Sequence, residues 1–120
     1  MTKPPGLSHL RVTIRGDAYV GPGRADLLAL IAETGSISAA GKAMGMSYKR
    51  AWGLVQALND GFGTPLVETS RGGVAQGGAV LTPVGEAVLS RYRHMEAATR
   101  DAIADDLAEL QKLIDMFEGK

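Results

Sequence analysis

SISAAGKAMGMSYKRAWGLVQAL, residues 36–58, has the pattern of two helices joined by a tight turn. Ser36 is a hydroxyl residue placed to cap a helix beginning at Ile37, where it accepts a hydrogen bond from an otherwise unpaired backbone N–H. Gly45 ends that helix, because a residue without Cβ takes the left-handed conformation that reverses the chain in a few residues. Ser47 caps the second helix. On its wheel Ala51, Leu54, Val55 and Leu58 gather on one side while Lys49, Gly53 and Gln56 fall on the other, which gives it a buried and a free face. Small residues at Ala39, Ala40, Gly41 and Ala43 let the first helix approach the second closely. Those are the requirements of a helix-turn-helix, whose second helix enters the DNA major groove.

Working outward, Arg24 to Glu33 supplies a third helix beneath the pair, with Leu27, Leu28, Leu30 and Ile31 on a broad apolar face and Thr34 and Gly35 at its end. Ahead of it Gly21, Pro22 and Gly23 read as a breaker. Leu10, Val12 and Ile14 alternate with Arg11, Thr13 and Arg15 in a half-buried strand closed by Gly16 and Asp17. Residues 1–9 carry two prolines and a glycine and read as a loose leader. After Leu58, NDGFGTP reads as a turn with Phe62 as its apolar anchor. Leu66–Thr69 and Ala79–Thr82 are short strand patterns separated by a glycine-rich loop, a hairpin in the position of a wing. Glycines there permit close approach to a phosphate backbone or minor groove, with Arg71 as the charge presented.

Thr82 caps the final helix, with Pro83 at its first position and Glu86 placed for the dipole. After Glu86 no proline or glycine appears until Gly119, so this helix runs far past the average of about eleven residues. Val88, Tyr92, Met95, Thr99 and Ala102, then Ile103, Leu107, Leu110, Ile114 and Phe117, follow four-three spacing with a one-residue slip where they meet. The second half cannot be buried on so small a domain, so its stripe wants a partner helix, most simply its own copy across a twofold axis.

Bulk properties agree. The 120 residues support one domain with an appendage and include no cysteine, which excludes a disulfide scaffold and thiolate metal sites. No segment approaches the roughly 18 uninterrupted apolar residues of a membrane span, and MTKPPGLSHL lacks the apolar run of a signal peptide, so a cytoplasmic protein is expected. The zero net charge averages two unlike parts. Up to Arg100 eleven Lys and Arg stand against seven Asp and Glu, whereas from Asp101 on two stand against six. A basic body facing nucleic acid with an acidic tail pointing elsewhere fits that asymmetry.

GSISAAGKAMGMSYKRAW, followed by RGGVAQGGAVLTPVGEAVLSRY, closely resembles the N-terminal DNA-binding domain of the molybdate-dependent, ModE-type transcriptional regulators. These are winged helix-turn-helix domains related to the LysR-type regulators. The shared marks are Gly35-Ser36-Ile37-Ser38, Ser47-Tyr48-Lys49 with Ala51-Trp52, the wing glycines Gly72, Gly73, Gly77 and Gly78, and Ala79-Val80-Leu81-Thr82 with Gly85. The likeness covers roughly residues 10–100. It implies a homodimer on a palindromic operator, with the long helix contributing to dimerisation and a link to molybdate or oxyanion metabolism. Full-length regulators of this type carry C-terminal β-barrel modules for molybdate or tungstate, and no such site is recognisable in these residues, so molybdate sensing does not carry over. Gly41 stands where many helix-turn-helix proteins have alanine, a departure expected to loosen the first helix by about 1 kcal/mol in an exposed setting.

The expected fold is mainly α with a small β component: a winged helix-turn-helix over 10–83 followed by a long dimerisation helix over 84–118. The expected contacts to double-stranded DNA are Ser36, Lys42, Ser47, Tyr48, Lys49, Arg50 and Gln56, with Arg71, Gly72 and Gly73 from the wing. Dimerisation is expected through Tyr92, Met95, Ile103, Leu107, Leu110, Ile114 and Phe117, and Trp52 reads as a packing residue. His9 and His94 are far apart, without an acidic or histidine neighbour at i+4, so no metal is expected. The glycine loop lacks a following Lys-Ser or Lys-Thr and lies between strands, which argues against a nucleotide cradle. No serine has a base and oxyanion setting, so the chain reads as a binding protein without cofactor, not an enzyme. The rival reading is a winged-helix adaptor that binds proteins and leaves its recognition helix idle. A small-molecule sensor using the dimer interface has no residue signature.

Overall fold

The computed structural model describes residues 5–70 and 78–119. In chain order the elements are β1 (Val12–Arg15), β2 (Ala18–Val20), α1 (Pro22–Thr34), α2 (Ile37–Ala43), α3 (Tyr48–Phe62), β3 (Val67–Ser70), β4 (Gly78–Leu81) and α4 (Pro83–Phe117). The strands form two separate antiparallel hairpins. This is a winged helix-turn-helix with a long terminal helix, as the cap and glycine pattern implies.

The first hairpin departs from expectation. β2 has only three residues, and its partner strand carries a bulge: Val12 pairs with Val20 and Thr13 with Tyr19, but Arg15 and not Ile14 faces Ala18. One extra residue on β1 breaks the alternation of faces. Ile14, expected inside with Leu10 and Val12, is therefore 52% exposed. Pro22, read as a breaker, instead opens α1 at its first position, where a missing N–H costs nothing. Gly35 at φ 71° closes α1 with its N–H donated to the Ile31 carbonyl.

Between α2 and α3 the fit depends on one missing methyl. A Cβ on Gly41 would stand 2.8 Å from the Ala51 Cβ, well inside the roughly 3.5–4.0 Å of favourable carbon contact. Gly41 is thus a point of close approach between the two helices, which corrects the view of it as a loosening substitution. Ala40 is buried beside it, whereas Ala39 and Ala43 face solvent. Gly45 at φ 72° makes the turn.

α3 does not stop at Leu58 but continues for another turn through Asn59, Asp60 and Gly61 to Phe62. Gly61 sits against β2, where a Cβ would come within 3.2 Å of the Ala18 Cα. Gly85 makes a similar approach at the start of α4, where any side chain would collide with the Leu66 carbonyl. Thr82 ties this junction together: its hydroxyl accepts from the Gly85 N–H at 3.0 Å and donates to the Pro65 carbonyl at 2.7 Å.

The main core joins Leu27, Leu28 and Ile31 of α1 to Ile37 and Ala40, to Ala51, Val55 and Leu58, and to Leu66, Val67 and Ala79. Each large side chain removed from water there contributes about 1.5–3 kcal/mol. A second cluster holds Val20, Ala25 and Tyr92, with Met95 half-buried against it. Tyr92 is fully buried and donates its hydroxyl to the Leu10 carbonyl at 2.7 Å. Its placement in the dimer stripe is accordingly corrected, since its surface is consumed by its own chain. Burial, reinforced by the neighbouring Glu96 carboxylate, raises the pKa of the Tyr92 phenol above its ordinary value. Arg93 bridges Asp26 of α1 at 2.7 Å and Glu96 at 3.0 Å. The Asp26 hydrogen bond, aided by Glu96, raises the Arg93 pKa although burial opposes it.

Beyond Glu96 no described residue of α4 is buried. At 1.5 Å per residue the 35-residue helix is about 52 Å long, which accounts for the 65 Å long axis of the molecule.

Candidate nucleic-acid interface

The N-terminal end of α3 is set by Ser47, whose Oγ accepts from the Arg50 N–H at 3.1 Å. Ser36 caps α2 in the same manner, with Ala39 as donor at 3.0 Å. Ala51, Val55 and Leu58 anchor one side of α3 in the core, so the other side is presented outward. Ser47, Tyr48, Lys49, Arg50 and Gln56 are exposed, Lys42 is exposed on α2, and Ser36 is half-buried at its cap. No Asp or Glu occurs between Glu33 and Asp60. The exposed face of α2 and of the first turns of α3 therefore carries Lys42, Lys49 and Arg50 without an opposing carboxylate from the same stretch, a charge pattern that attracts an anion.

Trp52, read as a packing residue, packs on a ring of its own helix and belongs to neither core cluster. It is 36% exposed, and its ring stacks on Tyr48, itself 57% exposed, with centroids 6.5 Å apart and planes 16° from parallel. An i, i+4 aromatic pair on an exposed helix face stiffens the side chains beside Lys49. The i, i+4 spacing was visible in the sequence, but a lone tryptophan gives no sign of which way it faces.

The wing strands are held to the same body. Val67 pairs with Leu81, Glu68 with Val80, Thr69 with Ala79 and Ser70 with Gly78, so the hairpin is in register up to the loop. Arg71, Gly72 and Gly73, named as wing contacts, lie outside the described residues. The Ala79 N–H donates to the Gly35 carbonyl at 2.9 Å, fastening β4 to the end of α1. Asn59 fastens β3 to α3. Its Oδ1 accepts from the N–H groups of Leu66 at 2.8 Å and Val67 at 3.3 Å, and its Nδ2 donates to the Val67 carbonyl at 3.3 Å. Sequence reasoning placed Asn59 in a turn and missed this clamp.

On α4 the four-three stripe diverges from its first half. Ile103 and Leu107 are half-buried, whereas Leu110 is 58%, Ile114 57% and Phe117 86% exposed. Leu113 and Met116, absent from the expected set, are exposed beside them. Among the described residues no group of three or more His, Cys, Asp or Glu is arranged to hold a metal, and no helix is long and apolar enough to cross a membrane.

A profile described as the bacterial regulatory helix-turn-helix protein, lysR family, matches residues 24–86, which run from α1 through the wing to the first turn of α4. The chain belongs to that family. Its relatives include the molybdenum-pterin-binding protein MopB of Rhodobacter capsulatus, 44% identical over 102 residues that make up 85% of this chain and 36% of MopB. The DNA-binding transcriptional dual regulator ModE of Escherichia coli K12 is 35% identical over 100 residues, 81% of this chain and 38% of that protein. The chain thus spans between a third and two-fifths of the length of these relatives. Among solved structures, the CbnR_DBD–DNA complex superposes with a TM-score of 0.56 at 27% identity, covering 72% of this chain and 95% of that one. The family and the fold neighbour agree with the ModE-type, LysR-related likeness carried by the Ser36–Trp52 and wing segments.

Proposed function

We propose that these residues form the DNA-reading module of a dimeric bacterial transcription regulator, a binding protein and not an enzyme, acting in the cytoplasm. The observation that carries the proposal is the acid-free, outward face at the start of α3. In it, Tyr48, Lys49, Arg50 and Gln56 stand free while the opposite side is anchored by Ala51, Val55 and Leu58. Membership of a regulatory helix-turn-helix family supports it, as does the likeness to a domain solved on DNA. In this reading residues 10–83 bind the duplex. Ser47, Tyr48 and Lys49 enter the major groove first, Arg50 and Gln56 follow, and Lys42 and the Ser36 end of α2 meet the flanking backbone. Arg71, Gly72 and Gly73 belong to the wing contact.

Residues 84–118 hold two copies together through Ile103, Leu107, Leu110, Ile114 and Phe117, joined by Leu113 and Met116. Met95 stands at the foot of that stripe. A twofold pair of α3 helices calls for a palindromic site. The relatives' names extend the proposal to genes of molybdenum or oxyanion metabolism, with sensing assigned to none of these residues.

Fluorescence anisotropy against a mixed-sequence duplex at 50 and 200 mM salt tests the core of it. Tight binding at the lower salt that weakens steeply at the higher is expected. Salt-insensitive or undetectable binding would favour a protein adaptor, and duplexes recovered from a random pool should share an inverted repeat.

A further inference from the structure

A second cationic site lies outside the helix-turn-helix face, where the first hairpin meets the start of α1. The Arg11 guanidinium carbon is 3.7 Å and that of Arg24 3.8 Å from the centroid of the same Tyr19 ring. Two guanidiniums so close to one centroid occupy opposite faces, since a single face has no room for both. The ring's negative faces attract each cation, yet the two charges repel one another across it. A further hydrogen bond, from Arg24 to the Tyr19 carbonyl at 3.4 Å, fixes this arrangement, and the buried Arg24 Nε has no partner among the described residues. The cations in ion pairs among the described residues are Arg93 and Lys112, so among those residues none of Arg11, Arg24 and Arg50 is paired with a carboxylate.

One cleft beside this stack is lined by His9, Arg11, Tyr19, Arg24 and Arg50 with the apolar Met46 and Leu54, and among the described residues no carboxylate lines it. Asp17 and Asp60 line a different cleft that shares Arg11, Tyr19 and Arg24. The carboxylate-free side is therefore the side toward Arg50 and the first turn of α3. On its lining α1 begins at Pro22, with Gly21 at its N-cap supplying no side-chain cap and with no acidic residue in its first turn. The charged groups on that side, Arg11, Arg24 and Arg50, are all cationic and come from three separate segments, beside the apolar Met46 and Leu54.

We infer that Arg11 and Arg24, one on each face of Tyr19, contact neighbouring backbone phosphates of the DNA beside Arg50, on the flank of the groove that α3 enters. This rests on the DNA-binding reading above. The wing is fastened at the other end of α1 through Gly35. The thirteen residues of α1 span about 20 Å, more than the roughly 12 Å width of a major groove, a length sufficient for contacts at its two ends to fall on opposite sides of the groove. The hairpin then supplies register and affinity but no sequence preference.

Anisotropy titrations of the full chain over a salt series test this, with wild type, Lys49→Ala, Arg11→Gln, Arg11→Lys and the double variant Arg11→Gln/Arg24→Gln. Circular dichroism and thermal melting establish that each is folded, and Arg11→Gln, at an exposed position, keeps the test alive if the double variant is not. The log–log salt slope should fall by about one unit in Arg11→Gln and about two in the double variant, and stay near wild type in Arg11→Lys. Affinity should drop by the same factor on selected and on mixed-sequence duplex. A folded Arg11→Gln with the wild-type slope, while Lys49→Ala loses affinity, overturns this site and leaves the DNA reading standing. Loss of salt-dependent binding in wild type overturns both. Inorganic phosphate titrated at constant ionic strength separates the sources: saturable binding that needs Arg11 and Arg24 but leaves the DNA slope untouched would assign the site to a free anion and overturn the backbone contact.

Discussion

Replacing Gly41 by alanine sets two effects of opposite sign against each other. In a helix the change gains about 1 kcal/mol of intrinsic propensity. Against that, the new methyl carbon would lie 2.8 Å from the Ala51 Cβ, so α2 and α3 must separate by about 1 Å to reach ordinary contact. Overpacking of this kind costs about 1–3 kcal/mol, and Ala51 is wholly buried with no room to yield. A net loss of about 1 kcal/mol is expected. Ala51→Gly alone should lose about 2 kcal/mol, from propensity and from a buried methyl. In the double variant Gly41→Ala/Ala51→Gly the propensities cancel and the methyl changes sides, so stability should return to near that of wild type. The cycle then gives a favourable coupling of about 2–3 kcal/mol. Urea unfolding followed by far-UV circular dichroism reads this directly, at fixed protein concentration because a dimer's stability depends on it. Additive single effects, or a Gly41→Ala variant more stable than wild type by the full propensity gain, would refute the close approach.

Other substitutions probe other joints of the molecule. Lys49→Ala should weaken binding to every duplex and lower the salt slope by about one unit if Lys49 meets a phosphate, or lose affinity at one position of a selected site if it reads a base; unchanged affinity would remove it from the interface. Asn59→Ala strips three hydrogen bonds from the β3 attachment and should cost about 2–3 kcal/mol in the same unfolding assay, while Asn59→Ala without measurable loss would deny the clamp. Ile114→Asp should convert a dimer to a monomer in sedimentation and remove the concentration dependence of its melting while leaving the chain folded, because Ile114 is 57% exposed and belongs to neither core cluster; an unchanged dimer would take Ile114 out of the interface. Tyr92 has its pKa raised on folding, so the unfolded chain loses the phenolic proton first. Stability from this group is full below the ordinary tyrosine value of about 10 and declines as pH rises above it. Tyr92→Phe should cost about 1 kcal/mol at neutral pH and flatten that alkaline decline, and an undiminished decline would place its origin elsewhere.

What could be read from the chain and what could not divides along the range of the forces involved. Ser36, Gly45, Ser47, Thr82 and Pro83 announce helix ends through hydrogen bonds and torsions within four residues, and all stand where expected. Asn59, Asp60 and Gly61 have the composition of a turn, but the structure keeps them helical because Asn59 fastens β3 and Gly61 admits Ala18, both contacts from outside the helix. The bulge that exposes Ile14 depends on pairing with β2, a strand too short to show a period. Tyr92 and Ile114 share one helical stripe in the sequence. Which meets its own chain and which stays free depends on where the domain ends along α4, and spacing alone carries no information on that. In the proposed binding face, the charges at Lys49 and Arg50 were legible from their place after Ser47, whereas the stack of Arg11, Tyr19 and Arg24 was not, since it joins a strand to a helix.

The most direct test of DNA reading by paired α3 helices is a hydroxyl-radical footprint of the purified chain on a duplex selected from a random pool. Two protected patches on one face, their centres one helical turn of about 10 base pairs apart or a multiple of it, are expected, with both lost in a Lys49→Ala variant. A single patch, two patches on opposite faces, or protection indifferent to Lys49 would contradict it.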